Sequence, residues 1–173
     1  PIILYGREKG KLFSGEAEAA MASADDIQSE HFKLLAEYLN SFAGSLGLAA
    51  LTGPAIWEQP WLWIHALQNI DWRNKKVVFV HEQASPLPWI VSLLGARVTL
   101  VDSSPDRAAA DRERREKAKV QIDWLPGDLP VIPLENECAD VLIWSALDFR
   151  SSAKRTAATE AARVLKPQGI LAL

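Results

Sequence analysis

The sequence predicts an α/β fold: a doubly wound, mostly parallel sheet with helices on both faces, preceded by an N-terminal helical segment. Three observations carry that prediction. Short apolar, β-branched runs at 77–80, 97–101, 139–144 and 170–173 have the composition of strands buried on both faces. Helical patterns at 86–94, 105–117 and 153–165 alternate with them, the order of a sheet built from strand–helix–strand units. An acid, Asp102, ends the second run, about 20 residues past the first.

The elements follow in order. Residues 1–24 carry Gly, Ser and Ala among charges, with little periodicity. Within them Ile2, Ile3, Leu4 and Tyr5 read as a short strand or an arm docking on the body, and 16–22 as a short helix. From 25 to 42, Ile27, Phe32, Leu35, Leu39 and Phe42 recur near the 3.6-residue period, with Asp25 or Asp26 as the N-cap. Gly44, Gly47 and Gly53-Pro54 break the next stretch. A second helix is predicted over 57–67, with Pro60 in its first turn. Trp57 and Trp61, one turn apart, pack it on the sheet domain.

A polar stretch, 69–76, leads into the first parallel strand. After the helix that follows, Gly95 marks its end. Ser104-Pro105-Asp106 is a helix start, with a Ser N-cap, Pro at the first position and an acid in the first turn. A further strand is predicted near 120–124. Asp140, at the entrance of the 139–144 strand, reads as a structural acid bonding backbone amides. The chain thus divides into an N-terminal helical segment, 1–70, packing on a core at 71–173 that ends at its fifth strand.

Composition narrows the partners. At 173 residues and 49% apolar content the chain has enough material for one domain with a real core. Its net charge of -3 predicts no strong electrostatic pull towards nucleic acid. The basic residues between Arg107 and Lys119 are interleaved with Asp106, Asp111, Glu113 and Glu116, the pattern of a solvated helix face. The single cysteine, Cys138, cannot form a disulfide within the chain, which suits the cytoplasm. The three histidines have no metal-ligand spacing, and no run is long enough to cross a bilayer.

Strand, turn, helix, strand, acid is the layout of a Rossmann-like, nucleoside-binding fold, in which the acid ending the second strand bonds ribose hydroxyls. The first loop departs from it. Where such folds place glycines so that backbone approaches the ligand, this chain has His81, Gln83 and Ser85.

The run from Val77 to Leu173 resembles the class I S-adenosylmethionine-dependent methyltransferases. The resemblance rests on several segments in order. They are Gly95-Ala96-Arg97-Val98-Thr99-Leu100-Val101-Asp102-Ser103-Ser104-Pro105, then Gly127-Asp128-Leu129 with Ile132-Pro133-Leu134. Cys138-Ala139-Asp140-Val141-Leu142-Ile143-Trp144-Ser145 and Ala162-Arg163-Val164-Leu165-Lys166-Pro167-Gln168-Gly169-Ile170-Leu171 complete the set. Upstream, Trp57-Glu58-Gln59-Pro60-Trp61 is similar to an aromatic helix that precedes the core in some members. A dehydrogenase-type nucleotide fold matches the Gly127-Asp128 segment and the 166–169 turn less well.

The resemblance implies S-adenosylmethionine as cofactor. Backbone of 81–86, including His81, Gln83 and Ser85, would meet its methionine part; Asp102 and Ser103 the ribose; Asp128 and Leu129 the adenine. Trp144 stands among the cofactor contacts, and the acceptor would enter near 144–149. His81, Glu82 and Asp148 are the candidate catalytic groups, although methyl transfer needs mainly alignment of nucleophile and methyl. Phe79 stands where members usually carry an acid.

Members also continue past the fifth strand with a helix and a hairpin. Here the sheet edge is left for missing residues, a second copy of the chain or the N-terminal segment to cover. Two functions are consistent with these residues. One is methyl transfer to a small-molecule acceptor. The other is an inactive methyltransferase-like domain serving as a binding or assembly module for a protein partner. Neither nucleic acid nor membrane is an expected partner.

Overall fold

The structure is a computed structural model that describes residues 4–8, 11–13, 28–53, 55–80, 85–127, 131–144 and 153–172. The elements are β1 (Leu4–Glu8), β2 (Lys11–Phe13), α1 (Glu30–Ser45), α2 (Ala55–Leu62), β3 (Lys76–Val80), α3 (Leu87–Leu93), β4 (Arg97–Asp102), α4 (Pro105–Ala118), β5 (Ile122–Pro126), β6 (Ala139–Trp144), α5 (Ala153–Val164) and β7 (Leu165–Ala172). The strands form one sheet in the order β2-β1-β7-β6-β3-β4-β5. From β7 to β5 every pairing is parallel. The chain runs outward from β3 to β5 on one side and from β6 to β7 on the other, so the order reverses between β3 and β6.

The apolar runs are continuous because both faces of the sheet are covered. Val77 and Phe79 point into a cluster with Val98, Ile122, Val141 and Ile143, roofed by Phe32 and Leu39 of α1, Trp61 of α2 and Trp89 of α3. Val78 and Val80, one residue out of phase, join Val101, Leu142 and Trp144 beneath Ala157 and Ala161 of α5.

The outer edge of β7 is covered by the chain's own N-terminal segment. β1 pairs antiparallel with β7, Tyr5 opposite Leu171, and β2 pairs with β1. Leu4 and Tyr5 of the apolar start therefore belong to a strand, which extends to Glu8; Ile2 and Ile3 lie outside the described residues.

Several element ends differ from the sequence expectation, each for a local reason. Helix α1 starts after Ser29, whose Oγ accepts the Phe32 N–H at 3.3 Å; Asp25, Asp26 and the 16–22 helix lie outside the described residues. Pro60 lies inside α2 rather than in its first turn, because Ala55 and Ile56 already begin the helix. Proline lacks the N–H that the ladder needs, and past Leu62 the helix widens into a π-helical turn over Trp63–Leu67. Ser104 precedes α4 but its side chain does not cap it; instead its own N–H turns back to Asp102. Helix α4 persists to Ala118 and ends with Lys119 at a left-handed φ of 54°, which delays β5 to Ile122.

β7 begins at Leu165 because Leu165 pairs with Ala139 before the register jumps to Val141 with Ile170. Residues 166–169 loop out between those pairs. Gly169 has to be glycine there: a Cβ would stand 2.9 Å from the Lys166 carbonyl oxygen. Asp140, opposite the loop, has the structural role its sequence position suggested. Its Oδ2 accepts the Lys76 N–H and its Oδ1 accepts from Lys166 Nζ, both at 2.8 Å. Among the described residues no helix is long and apolar enough to cross a membrane.

Candidate functional site

The carboxyl ends of the parallel strands are where an open α/β sheet receives a ligand. Asp102 closes β4 there. Its side chain is only 8% exposed. Oδ1 accepts the Ser104 N–H at 2.7 Å, and Oδ2 lies 2.9 Å from the guanidinium of Arg107, in the first turn of α4. Behind the carboxylate, the Asp102 carbonyl accepts the Gly127 N–H at 3.3 Å. A Cβ on Gly127 would approach Pro133 Cδ to 2.7 Å and Val101 Cγ1 to 3.0 Å, so glycine lets the end of β5 close against β4.

Ser85 is brought to the same place. It is buried, and its Oγ accepts the Leu87 N–H at 3.1 Å at the start of α3. A hydroxyl therefore stands at the third of the three positions where related folds use glycine, and its effect is to fix the first turn of α3.

Ser85 and Asp102 line one cavity of about 330 Å³, walled by Phe79, Trp89, Leu100 and Trp124. Leu48 and Ala49, from the link after α1, line it too. That link is tied to α4 by Arg114, which donates to the Gly47 carbonyl at 3.2 Å and to Asp111 at 2.7 Å. A larger groove of about 720 Å³, lined by Thr99, Arg112, Arg115, Asp123 and Trp124, runs along β5 and contains neither Asp102 nor Ser85. The smaller cavity is the candidate site, because it joins the strand ends to a buried carboxylate.

Two of the other sequence candidates are among the described residues. Ser103 is exposed beside Asp102. Trp144 is buried in the cluster on the opposite face of the sheet, with Val80 and Leu142. His81, Glu82, Gln83, Asp128, Leu129 and Asp148 lie outside the described residues. Phe79 is fully buried and forms part of the cavity wall.

Arg107 is the site residue that sequence reasoning placed differently, among the charges of a solvated helix face. A signal for it exists. Helical side chains tilt towards the N-terminus, so a long cation in the first turn after a strand-ending acid reaches back to that acid. The donor set suits a nucleoside: a buried carboxylate accepts hydroxyls, and apolar walls take a flat ring.

A family model described as a methyltransferase domain matches residues 79–173, more than half of the chain. A solved structure of a Pyrococcus horikoshii protein, 20% identical, has a TM-score of 0.57 and covers 84% of this chain and 58% of its own. A Methanococcus maripaludis protein assigned as an S-adenosyl-L-methionine-dependent methyltransferase is 15% identical, with a TM-score of 0.57 over 88% of this chain and 66% of its own. A Galdieria sulphuraria protein assigned as a sarcosine dimethylglycine methyltransferase is 19% identical, with a TM-score of 0.56 over 68% and 46%. These likenesses establish the fold, and the chain spans 58% of the length of the first of them. Comparison with curated proteins gave no match. By its matched domain and by a sheet that reverses between β3 and β6, the chain belongs to the class I S-adenosylmethionine-dependent methyltransferase family.

Proposed function

We propose that the chain binds S-adenosylmethionine at the carboxyl ends of β3 and β4 and transfers its methyl group to a small-molecule acceptor. One observation carries this reading: Asp102, a buried carboxylate ending β4, lines an apolar cavity beside the point where the strand order reverses. Asp102 would take the ribose hydroxyls, and Phe79, Trp89 and Leu100 would exclude water around them. Backbone of 81–86 for the methionine part, and Asp128 with Leu129 for the adenine, come from the family resemblance. Bound there, the cofactor supplies a methyl group activated on a sulfonium centre. The protein's share is alignment, worth several orders of magnitude where the approach is in line.

Calorimetric titration with S-adenosylmethionine and S-adenosylhomocysteine tests the reading. Micromolar binding is expected, falling about 10- to 100-fold in Asp102→Ala, as for the loss of one or two charge-assisted hydrogen bonds. A folded protein that binds neither compound up to millimolar concentration overturns it. One specific observation favours a second reading, an assembly module for a protein partner or a second copy. Both oxygens of Asp102 are already engaged by the chain's own groups. The same titration separates the two.

A further inference from the structure

We propose that Arg107 is a displaceable internal ligand of Asp102, holding the carboxylate that a nucleoside must win and thereby setting the cofactor affinity of the site. The inference rests on the reading that a nucleoside binds at Asp102. The two partners of that carboxylate differ in kind. The Ser104 N–H at 2.7 Å is backbone and stays, fixing the carboxyl plane. The Arg107 guanidinium at 2.9 Å is at the end of a long side chain.

Exposure shows which partner lies outermost. Asp102 is 8% exposed and Arg107 is 42% exposed, so the arginine is the member of the pair that is open to solvent. Both residues line the same cavity, so a ligand that takes the Asp102 carboxylate there adjoins Arg107. Displacing it exchanges a cationic donor for neutral hydroxyl donors on the same carboxylate, so the attraction of the ion pair is given up on binding. The apparent affinity is therefore lower than that of a free carboxylate in the same place.

The arginine has somewhere to go. Asp111 lies four residues further along α4, on the same face, and lines the same cavity. Its carboxylate now receives Arg114 through Oδ1, 2.7 Å from NH1, and has acceptor capacity left for a second cation. Arg107 can thus leave Asp102 without becoming an unpaired charge. The exchange is local to one turn of α4 and moves no strand.

The test is titration of S-adenosylhomocysteine into the wild type, Arg107→Met, Arg107→Lys, Asp102→Asn and the Asp102→Asn/Arg107→Met double variant, with ligand-free thermal unfolding alongside. Methionine keeps the apolar stem and removes the charge. Arg107→Met is expected to bind about tenfold tighter than the wild type, the scale of one hydrogen bond to a charged group. Arg107→Lys, with a single ammonium in place of the fork, should fall between them. The gain should vanish in the Asp102→Asn background. Wild-type binding with no gain in Arg107→Met or Arg107→Lys overturns the inference alone, and makes Arg107 a support for Asp102. Absence of binding in every folded variant overturns the inference together with the proposed cofactor site. If Arg107→Met does not fold, Arg107→Lys decides: tighter binding supports competition, equal or weaker binding overturns it.

Discussion

Asp102 and Asp140 stand at opposite ends of the same parallel sheet and hold nearly the same donors. Each carboxylate takes one backbone N–H and one cationic side chain: Ser104 and Arg107 in the first case, Lys76 and Lys166 in the second. The difference lies in where the partners come from. Those of Asp140 are 64 and 26 residues away and tie β6 to β3 and β7. Those of Asp102 are the Ser104 N–H, two residues on, and a side chain in the next helical turn. Breaking the first set separates strands; breaking the second releases one side chain. Burial alone ranks the two the other way, since Asp102 is 8% exposed and Asp140 20%. An acid at the carboxyl edge whose cationic partner is local can give up that partner without separating strands, whereas an acid with remote partners is committed to the fold.

The largest effects should divide along that line. Asp140→Ala leaves the Lys76 N–H and the Lys166 ammonium without their acceptor, and is expected to cost about 2–3 kcal/mol. For a chain of this size that lowers Tm by roughly 5–10 °C. The affinity for S-adenosylhomocysteine should be unchanged. Asp102→Ala is expected to cost about 1 kcal/mol, as for the loss of a local cap, but 10- to 100-fold in affinity. Thermal unfolding and titration of both variants check this. Equal stability losses would break the comparison.

A smaller effect should appear on acidification. Burial pushes the Asp140 carboxyl up, but the bonds from Lys166 and the Lys76 N–H outweigh it and hold it below its ordinary value. Arg163 does the same for Glu160, which also accepts the Ile132 N–H. A carboxyl with a depressed native pKa contributes stability above its unfolded pKa and loses it as pH falls through the native one. Unfolding midpoints should therefore be flat above about pH 5 and decline below about pH 4. Asp140→Asn should start lower and decline less. A parallel decline in wild type and variant would show that Asp140 is not tied to its partners as described.

The parallel core was legible in the sequence because its runs are covered on both faces. The 139–144 strand lies where the apolar run puts it, and β3 and β4 extend their runs by one residue each. What moved was decided by events the runs do not encode. β5 starts later because Lys119 takes a left-handed turn, and β7 starts earlier because Leu165 pairs with Ala139 across a looped-out segment. Trp72 is buried within a stretch that reads as polar. At the site, the strand-ending position of Asp102 was legible. The cavity wall at Leu48 and Ala49 was not, since it comes from a link with no periodic signal, held in place by Arg114. Arg107 was hidden among the many charges of α4.

The smallest expected effect sharpens the comparison most directly, because Asp71 repeats the donor set a third time. Its carboxylate accepts from the Arg73 N–H at 3.2 Å, from Nε at 2.9 Å and from the second guanidinium nitrogen at 2.8 Å. The Arg73 side chain, together with its N–H, holds the Asp71 carboxyl down to about 2. Here the partners are as local as those of Asp102, but both side chains are largely exposed. If remote partners are what commit an acid to the fold, Asp71→Asn should leave both Tm and S-adenosylhomocysteine affinity at wild-type values. The pair should also yield to salt. In carbon-detected NMR titrations at about 1 M salt, where screening acts within roughly 3 Å, the Asp71 midpoint should rise towards the ordinary aspartate value near 3.9. The Asp140 midpoint should move less, because its pair is only partly open to solvent. A Tm loss in Asp71→Asn as large as that in Asp140→Ala would mean that the donor set, and not the distance of its partners along the chain, decides what these acids contribute.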